Sequence, residues 1–332
     1  LNPALDAWSG RLAELLAQSA EYGDWRLAKP AALALSAEAL SLGETCLQPA
    51  VGAARVCAQA DWRQTAGGNL AARIQTLELA RLLPDLSGEI SGDLEARLAA
   101  DGALRGEGWL DVSPGQLRVA TDQEAPLLAH GGGRLDVRVG SDGLAAEFQL
   151  RALERGSAQA ELRLPQLNRL PLAKPQPLSG RIRAMLPDLV GVQAWVPELA
   201  ATAGSLNADL RLAGSLEAPQ ILGEMTLSDG AADVPLAGLE LRQIELRIKD
   251  NPEQPGQLAL TGGLVSGPGR ADLDGRLDLP RNALELSLKG DNLQVYNTPD
   301  ARVLASPDLR IGWSDQVLRL RGRLLIPEAA IT

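Results

Sequence analysis

The chain has 332 residues, of which 45% are hydrophobic and 22% charged, so it carries enough apolar material to bury a core and is not a disordered segment. Its formal net charge of −10 argues against nucleic acid or an anionic membrane surface as the main partner, since no basic stripe stands out to release counterions. Aromatic residues make up only 3%, which leaves Leu, Ala, Val and Ile to build the apolar surface and predicts a thin, repetitive aliphatic face, not a bulky core.

Leu5, Trp8, Leu12, Leu15 and Leu16 fall at three- and four-residue steps and predict an amphipathic helix over residues 1–20. Strands follow over residues 21–83. Trp25-Arg26-Leu27, Ala31 to Leu35 and Leu40 to Gly43 switch to period two, with Pro30 as a breaker. Cys46 and Cys57 flank a turn-like Gln48-Pro49-Ala50-Val51-Gly52 that would fold their strands back on each other. Adjacent strands bring such a pair to disulfide distance, which predicts a Cys46–Cys57 bridge formed in the periplasm or another oxidising compartment; two unpaired structural thiols are the alternative. Leu70, Ala72 and Ile74 form another strand, and Leu77 to Leu83 a helical turn stopped by Pro84.

A supersecondary unit then occurs twice, over 84–196 and from 197 to 332. Gly92, Leu94, Leu98 and Gly102 recur as Gly204, Leu206, Leu210 and Gly214 with the same spacing, and Pro84-Asp85-Leu86 is matched by Pro197-Glu198-Leu199. In the second copy Leu206, Ala208, Leu210 and Leu212 alternate with Asn207, Asp209 and Arg211, so one face is apolar and the other wet. Such repetition predicts a β-array in which each piece buries its apolar face only with its neighbours. Between the copies, Pro165, Pro171, Pro175 and Pro177 mark an irregular segment, either a domain boundary or a connecting loop. Leu189, Val192, Trp195 and Val196 read as a short helix within Leu186–Leu199. From Leu239 to Leu320 the alternation is nearly unbroken, which a two-sheet sandwich would also show.

Chemistry is sparse. His130 is the only histidine and sits beside Gly131-Gly132-Gly133, a run too short and isolated for a phosphate loop. Asp272 and Asp274 share a strand face without forming a calcium loop. The expectation is a protein that is not an enzyme, with no cofactor, no metal site and no nucleic-acid partner. Leu1-Asn2-Pro3 at one end and Ile331-Thr332 at the other look like cuts within a pattern, so the chain is expected to be a piece of a longer protein; no apolar run of about 18 residues is present.

Five sets of residues, in order, carry a family resemblance. They are Gly23-Asp24-Trp25-Arg26-Leu27 with Pro30; Cys46-Leu47 with Cys57 and Asp61-Trp62; Pro171-Leu172 through Leu178-Ser179-Gly180; Leu212 to Leu216 with Ala218-Pro219; and Gly322 to Ala329. The chain resembles the TamB family of translocation and assembly module subunits. The resemblance implies a mainly β fold, an elongated curled sheet (a β-taco, or open gutter) of degenerate repeats with a few short helices, like AsmA-like and bridge-like lipid-transfer proteins. It also implies a periplasmic location, an inner-membrane anchor preceding this segment, and a TamA-like Omp85 outer-membrane barrel as partner. The function implied is shielding of phospholipid acyl chains during transport between inner and outer membrane in support of outer-membrane biogenesis. The groove-lining residues would then include Leu206, Leu210, Leu212, Leu258, Leu260, Leu284, Leu286, Leu288, Ile311, Trp313, Leu318 and Leu320, for each of which ordinary core packing is the competing role. The alternative function is a scaffold that binds outer-membrane β-proteins such as autotransporters by strand addition. A closed β-sandwich adhesin repeat is disfavoured by the scarcity of aromatics.

Overall fold

A computed structural model of the chain describes all residues except 1–6, 20–22, 84, 119–126, 153–155, 191–195, 197, 315 and 332. The fold is mainly β, with 22 strands in one antiparallel sheet that is not closed into a barrel. The chain divides into two compact units. The first holds 1–117, 129–150 and 161–176, and the second holds 118–128, 151–160 and 177–332. One division falls inside the proline-rich segment, between Gln176 and Pro177; the repeat boundary expected at 196 lies within the second unit.

The first unit begins with β1 (Ala7–Leu12), β2 (Leu16–Ala17), β3 (Trp25–Leu27), β4 (Ala31–Ser36) and β5 (Ala39–Pro49). Where an amphipathic helix was expected, Ala7–Leu12 is a strand paired with β4, with Gly10 opposite Leu33. The reason is local. Trp8 and Leu12 are four residues apart, which puts them on one face of a helix and also of a strand. Gly10 between them disfavours helix and, in the strand, lets the Trp8 ring lie over it: a Cβ there would meet Trp8 Cζ2 at 2.9 Å. Leu5 and Ala20 of that expected helix lie outside the described residues.

Next come β6 (Arg55–Arg63), β7 (Gly67–Glu78), β8 (Glu89–Ala99) and β9 (Leu104–Val112), each pairing with the one before it. β10 (Gly115–Arg118) and β11 (Leu127–His130) form a separate ribbon, and β12 (Gly133–Gly140) joins β9 to β13 (Gly143–Ala152). β7 carries a bulge between Ile74 and Leu77, with Thr76 at φ 45°, and a bulge bends its strand. Just past this bend sits the buried cluster Ala54, Leu77, Leu79 and Ile90.

β14 (Gly156–Leu164) leads to the strands of the second unit: β15 (Ser179–Leu186), β16 (Ala200–Gly214), β17 (Pro219–Val234), β18 (Leu239–Asp250), β19 (Gln257–Ser266), β20 (Gly269–Asp278), β21 (Ala283–Asp291), β22 (Leu293–Thr298), β23 (Ala301–Ser314) and β24 (Val317–Ile331). From β15 to β21 each strand pairs with the next, while β23 pairs with β21, β22 and β24. Register shifts interrupt β16, β17, β18 and β23, with Ala201, Asp229 and Gln243 at positive φ in the first three. The buried residues Thr202, Ala232, Ser266, Leu293, Leu304 and Ala305 collect beyond these shifts, where Ser266 Oγ donates to the Gln294 carbonyl at 2.6 Å. Burial in this unit is therefore concentrated at one end of its strands.

The few short helices expected reduce to 3-10 turns among the described residues, over Leu79–Arg81 and Pro235–Ala237. Of the helix expected over Leu186–Leu199, 191–195 and 197 lie outside the described residues, and the described remainder is not α-helical: Leu186 ends β15. Gly102 and Gly214, which match in the repeat, both adopt φ of +85°, the left-handed conformation that glycine reaches without a Cβ clash.

Candidate functional site

Residues directly opposite one another on antiparallel strands point to the same face, so the register fixes which side chains form a surface. In the second unit it assembles three rungs. The first runs Leu186, Leu206, Leu227, Leu246, Gly262, Leu273, Leu288, Leu309 and Gly322. The second runs Ala184, Ala208, Met225, Ile248, Leu260, Gly275, Leu286, Ile311 and Leu320. The third runs Ile182, Leu210 and Gly223, then Asp250, Leu258, Leu277, Leu284, Trp313 and Leu318. Leu212 lies opposite Ile221 beside the third rung.

All the leucines named from sequence therefore share one face with Ile311 and Trp313. Met225, Leu227, Leu246, Ile248, Leu273, Leu277 and Leu309 extend the same face; period two marked each of them as one-sided, but only the register joins them to the others. Of the sequence-named residues only Leu258 is buried, at 5% exposure, while Leu206, Leu210, Leu212, Leu260, Leu284, Leu286, Leu288, Ile311 and Trp313 are half-buried and Leu318 is 67% exposed.

Glycines in the rungs are overlain by their neighbours. A Cβ on Gly275 would meet Leu286 Cδ2 at 2.6 Å, and one on Gly262 would meet Leu246 Cδ1 at 3.3 Å, so these leucines lean across the gaps and keep the wall aliphatic. Asp250 is the one acid in the rungs, and it is tied down by accepting the Gly223 N–H at 3.0 Å.

The opposite face is polar and internally paired. Arg181 meets Asp209 at 2.6 Å, Arg247 meets Glu224 at 2.7 Å, and Arg276 meets Glu285 at 2.8 Å. Hydrogen bonding to Arg181 holds the Asp209 carboxyl below its usual range, and Arg247 does the same for Glu224. The two faces thus differ in kind. One is a wall of CH2 and CH3 groups, and the other is a lattice of ion pairs.

In the first unit Cys46 and Cys57 face each other across β5 and β6 and are joined by a disulfide, with Cys46 buried. The pair lies on the polar side, above a cavity that Glu44, Gln48, Arg55 and Arg73 also line. A Glu44 carboxylate oxygen and the two sulfurs lie within 4.8 Å of one another. Metal binding needs free thiolates; here both sulfurs are spent in the bridge and Glu44 binds Lys29 at 2.8 Å.

The family described as TamB, N-terminal domain, matches residues 1–227, and the TamB C-terminal domain matches residues 258–332. The chain belongs to the TamB family. No solved structure matches it. TamB proteins are components of the Gram-negative envelope. Among the described residues of this TamB chain, no helix is long and apolar enough to cross a membrane. The two matches together take in nearly all of the aliphatic face: β15 and β16 fall in the N-terminal match, β19 to β24 in the C-terminal one, and β17 and β18 bridge them.

Proposed function

We propose that the aliphatic face of the second unit shields phospholipid acyl chains, as one stretch of a TamB path between inner and outer membrane that supports outer-membrane biogenesis. The observation that carries this reading is the set of adjacent aliphatic rungs from β15 to β24, most of whose described residues are half-buried or exposed. A contiguous apolar surface of this kind is an association hazard in water unless something covers it. Acyl chains suit the wall because it offers area without direction: each buried CH2 contributes about 0.8 kcal/mol, and the near-absence of polar anchors lets a chain slide. The reading includes a periplasmic location, an inner-membrane anchor and a TamA-like barrel at the outer membrane.

The test is native mass spectrometry with lipid extraction on the chain purified from membranes, beside a Leu210→Asp/Leu286→Asp variant. Wild-type chain should carry phospholipid that the folded variant lacks. A lipid-free wild type that captures an unfolded outer-membrane β-protein would replace this reading with the scaffold one. Strand addition has less to favour it, because β24 carries Arg319, Arg321, Arg323 and Pro327, residues that blunt a strand as a template.

A further inference from the structure

The polar face of the second unit is not uniform. From β15 to β21 several arginines meet carboxylates, as Arg181, Arg247 and Arg276 do, although Arg181 also lies opposite Arg211. On β23 and β24 arginines without such a partner cluster. Arg310 lies directly opposite Arg321, Arg323 lies opposite Asp308 one step along, and Arg319 is opposite Gly312. Among the described residues no carboxylate comes within 4.0 Å of Arg310, Arg321 or Arg323, and Arg319 instead donates from Nη1 to Ser314 Oγ at 2.8 Å. Like charges opposed across a ladder are unfavourable, so this register leaves guanidinium groups that an outside anion would stabilise. They line a shallow groove of about 990 Å³ with Arg276 and Ser287, where five arginines outnumber the carboxylates Asp274, Glu285 and Asp308.

We propose that this arginine patch docks the chain peripherally on an anionic phospholipid bilayer. Guanidinium groups pair with phosphate oxygens as they do with carboxylates, and their charge favours an anionic headgroup surface. What selects a bilayer over a soluble phosphate is the company the arginines keep. Leu325 continues the same strand face next to Arg323 and is 65% exposed. Cationic heads beside solvent-exposed aliphatic side chains fit the headgroup–acyl boundary, where both find partners. The chain as a whole is acidic, so the attraction is local: it acts within a Debye length, about 8 Å at physiological salt, and orients the chain with β23 and β24 towards the lipid. The patch lies on the face opposite the aliphatic rungs, so docking and acyl-chain shielding are separate events on the same strands.

The experiment is co-sedimentation of the whole chain with vesicles of phosphatidylglycerol and phosphatidylethanolamine, against vesicles of phosphatidylcholine alone. Wild-type chain should partition to the anionic vesicles and release as NaCl is raised. An Arg319→Gln/Arg321→Gln/Arg323→Gln variant should bind about 100-fold more weakly, at roughly a tenfold loss per 1.4 kcal/mol and about 1 kcal/mol per cation. The matching triple Arg→Lys variant, which keeps the charge, should retain most of the binding and serves as the control for folding. The Leu210→Asp/Leu286→Asp variant should sediment like wild type, which separates this proposal from the acyl-chain one. Equal partitioning to neutral and anionic vesicles, an unaffected triple Gln variant, or wild-type binding to inorganic phosphate without binding to vesicles would each overturn it.

Discussion

The two units build their apolar faces from the same alternation and mix the same two kinds of cross-strand pair. In the first, large meets small where Leu70 opposes Ala60 and Ala96 and Leu94 opposes Ala72 and Gly108, and large meets large where Leu40 opposes Trp62, Val56 opposes Ile74 and Leu135 opposes Phe148. In the second, Leu206 meets Leu227, Leu258 meets Leu277 and Leu284 meets Trp313, while Gly262 lies between Leu246 and Leu273 and Gly275 between Leu260 and Leu286. The difference lies in exposure at particular points: Leu70 and Leu94 stand 43% and 40% exposed among small neighbours, whereas Leu258, between Asp250 and Leu277, is 5% exposed. Period two alone does not distinguish them, because both strands of such a pair read as one-sided.

Substitutions can break this comparison. The largest effect should come from Leu258→Asp, which puts a carboxylate at the buried point of the second unit's rungs; a loss of about 4 kcal/mol or more is expected, visible as early unfolding of that unit in urea with limited proteolysis. Removing the disulfide by Cys46→Ser/Cys57→Ser should cost roughly 3 kcal/mol, read as faster amide exchange in β5, β6 and β7. The contrast itself is sharpened by a swap. Gly108→Leu should destabilise by about 1–3 kcal/mol in thermal melts, since its Cβ would sit 2.9 Å from Leu94 Cδ1 and 3.0 Å from the Asp93 carbonyl oxygen. Leu286→Ala, at a half-exposed site, should cost about 1 kcal/mol or less and act mainly on lipid retention. The smallest effect concerns the ion-pair face. Asp209 and Glu224 have carboxyls lowered by Arg181 and Arg247, so their contribution is present above the ordinary carboxylate range and fades as pH falls below about 4. Acid titration of stability should show a shallow, salt-sensitive loss there, flattened by Arg181→Gln.

Much of this was legible in the residues. Leu206 to Leu212 and Ile244 to Ile248 declare strands with one apolar side, and Cys46 and Cys57 lie in neighbouring strands around a turn. At the start of the chain Trp8 and Leu12 satisfy helix and strand alike, and Gly10 together with pairing to Ala31–Ser36 decides for the strand. The arginine patch was invisible for another reason. A net charge of −10 averages over the whole chain, and Arg310 and Arg321 become neighbours only through the register of β23 and β24. Likewise, no local pattern reveals that Gly262 and Gly275 fall in the middle of leucine rungs.

The most direct test of the central claim is site-specific photocrosslinking in cells. A photoreactive side chain would be placed in turn at Leu260, Leu286 and Ile311 on the aliphatic face and at Asp209, Glu224 and Arg247 on the ion-pair face, away from the arginine groove of β23 and β24, and the adducts identified by mass spectrometry. Shielding of acyl chains predicts phospholipid adducts at the first three positions and none at the second three. Phospholipid adducts spread equally over both faces, or outer-membrane β-protein captured at Leu260, Leu286 and Ile311 in place of lipid, would contradict it.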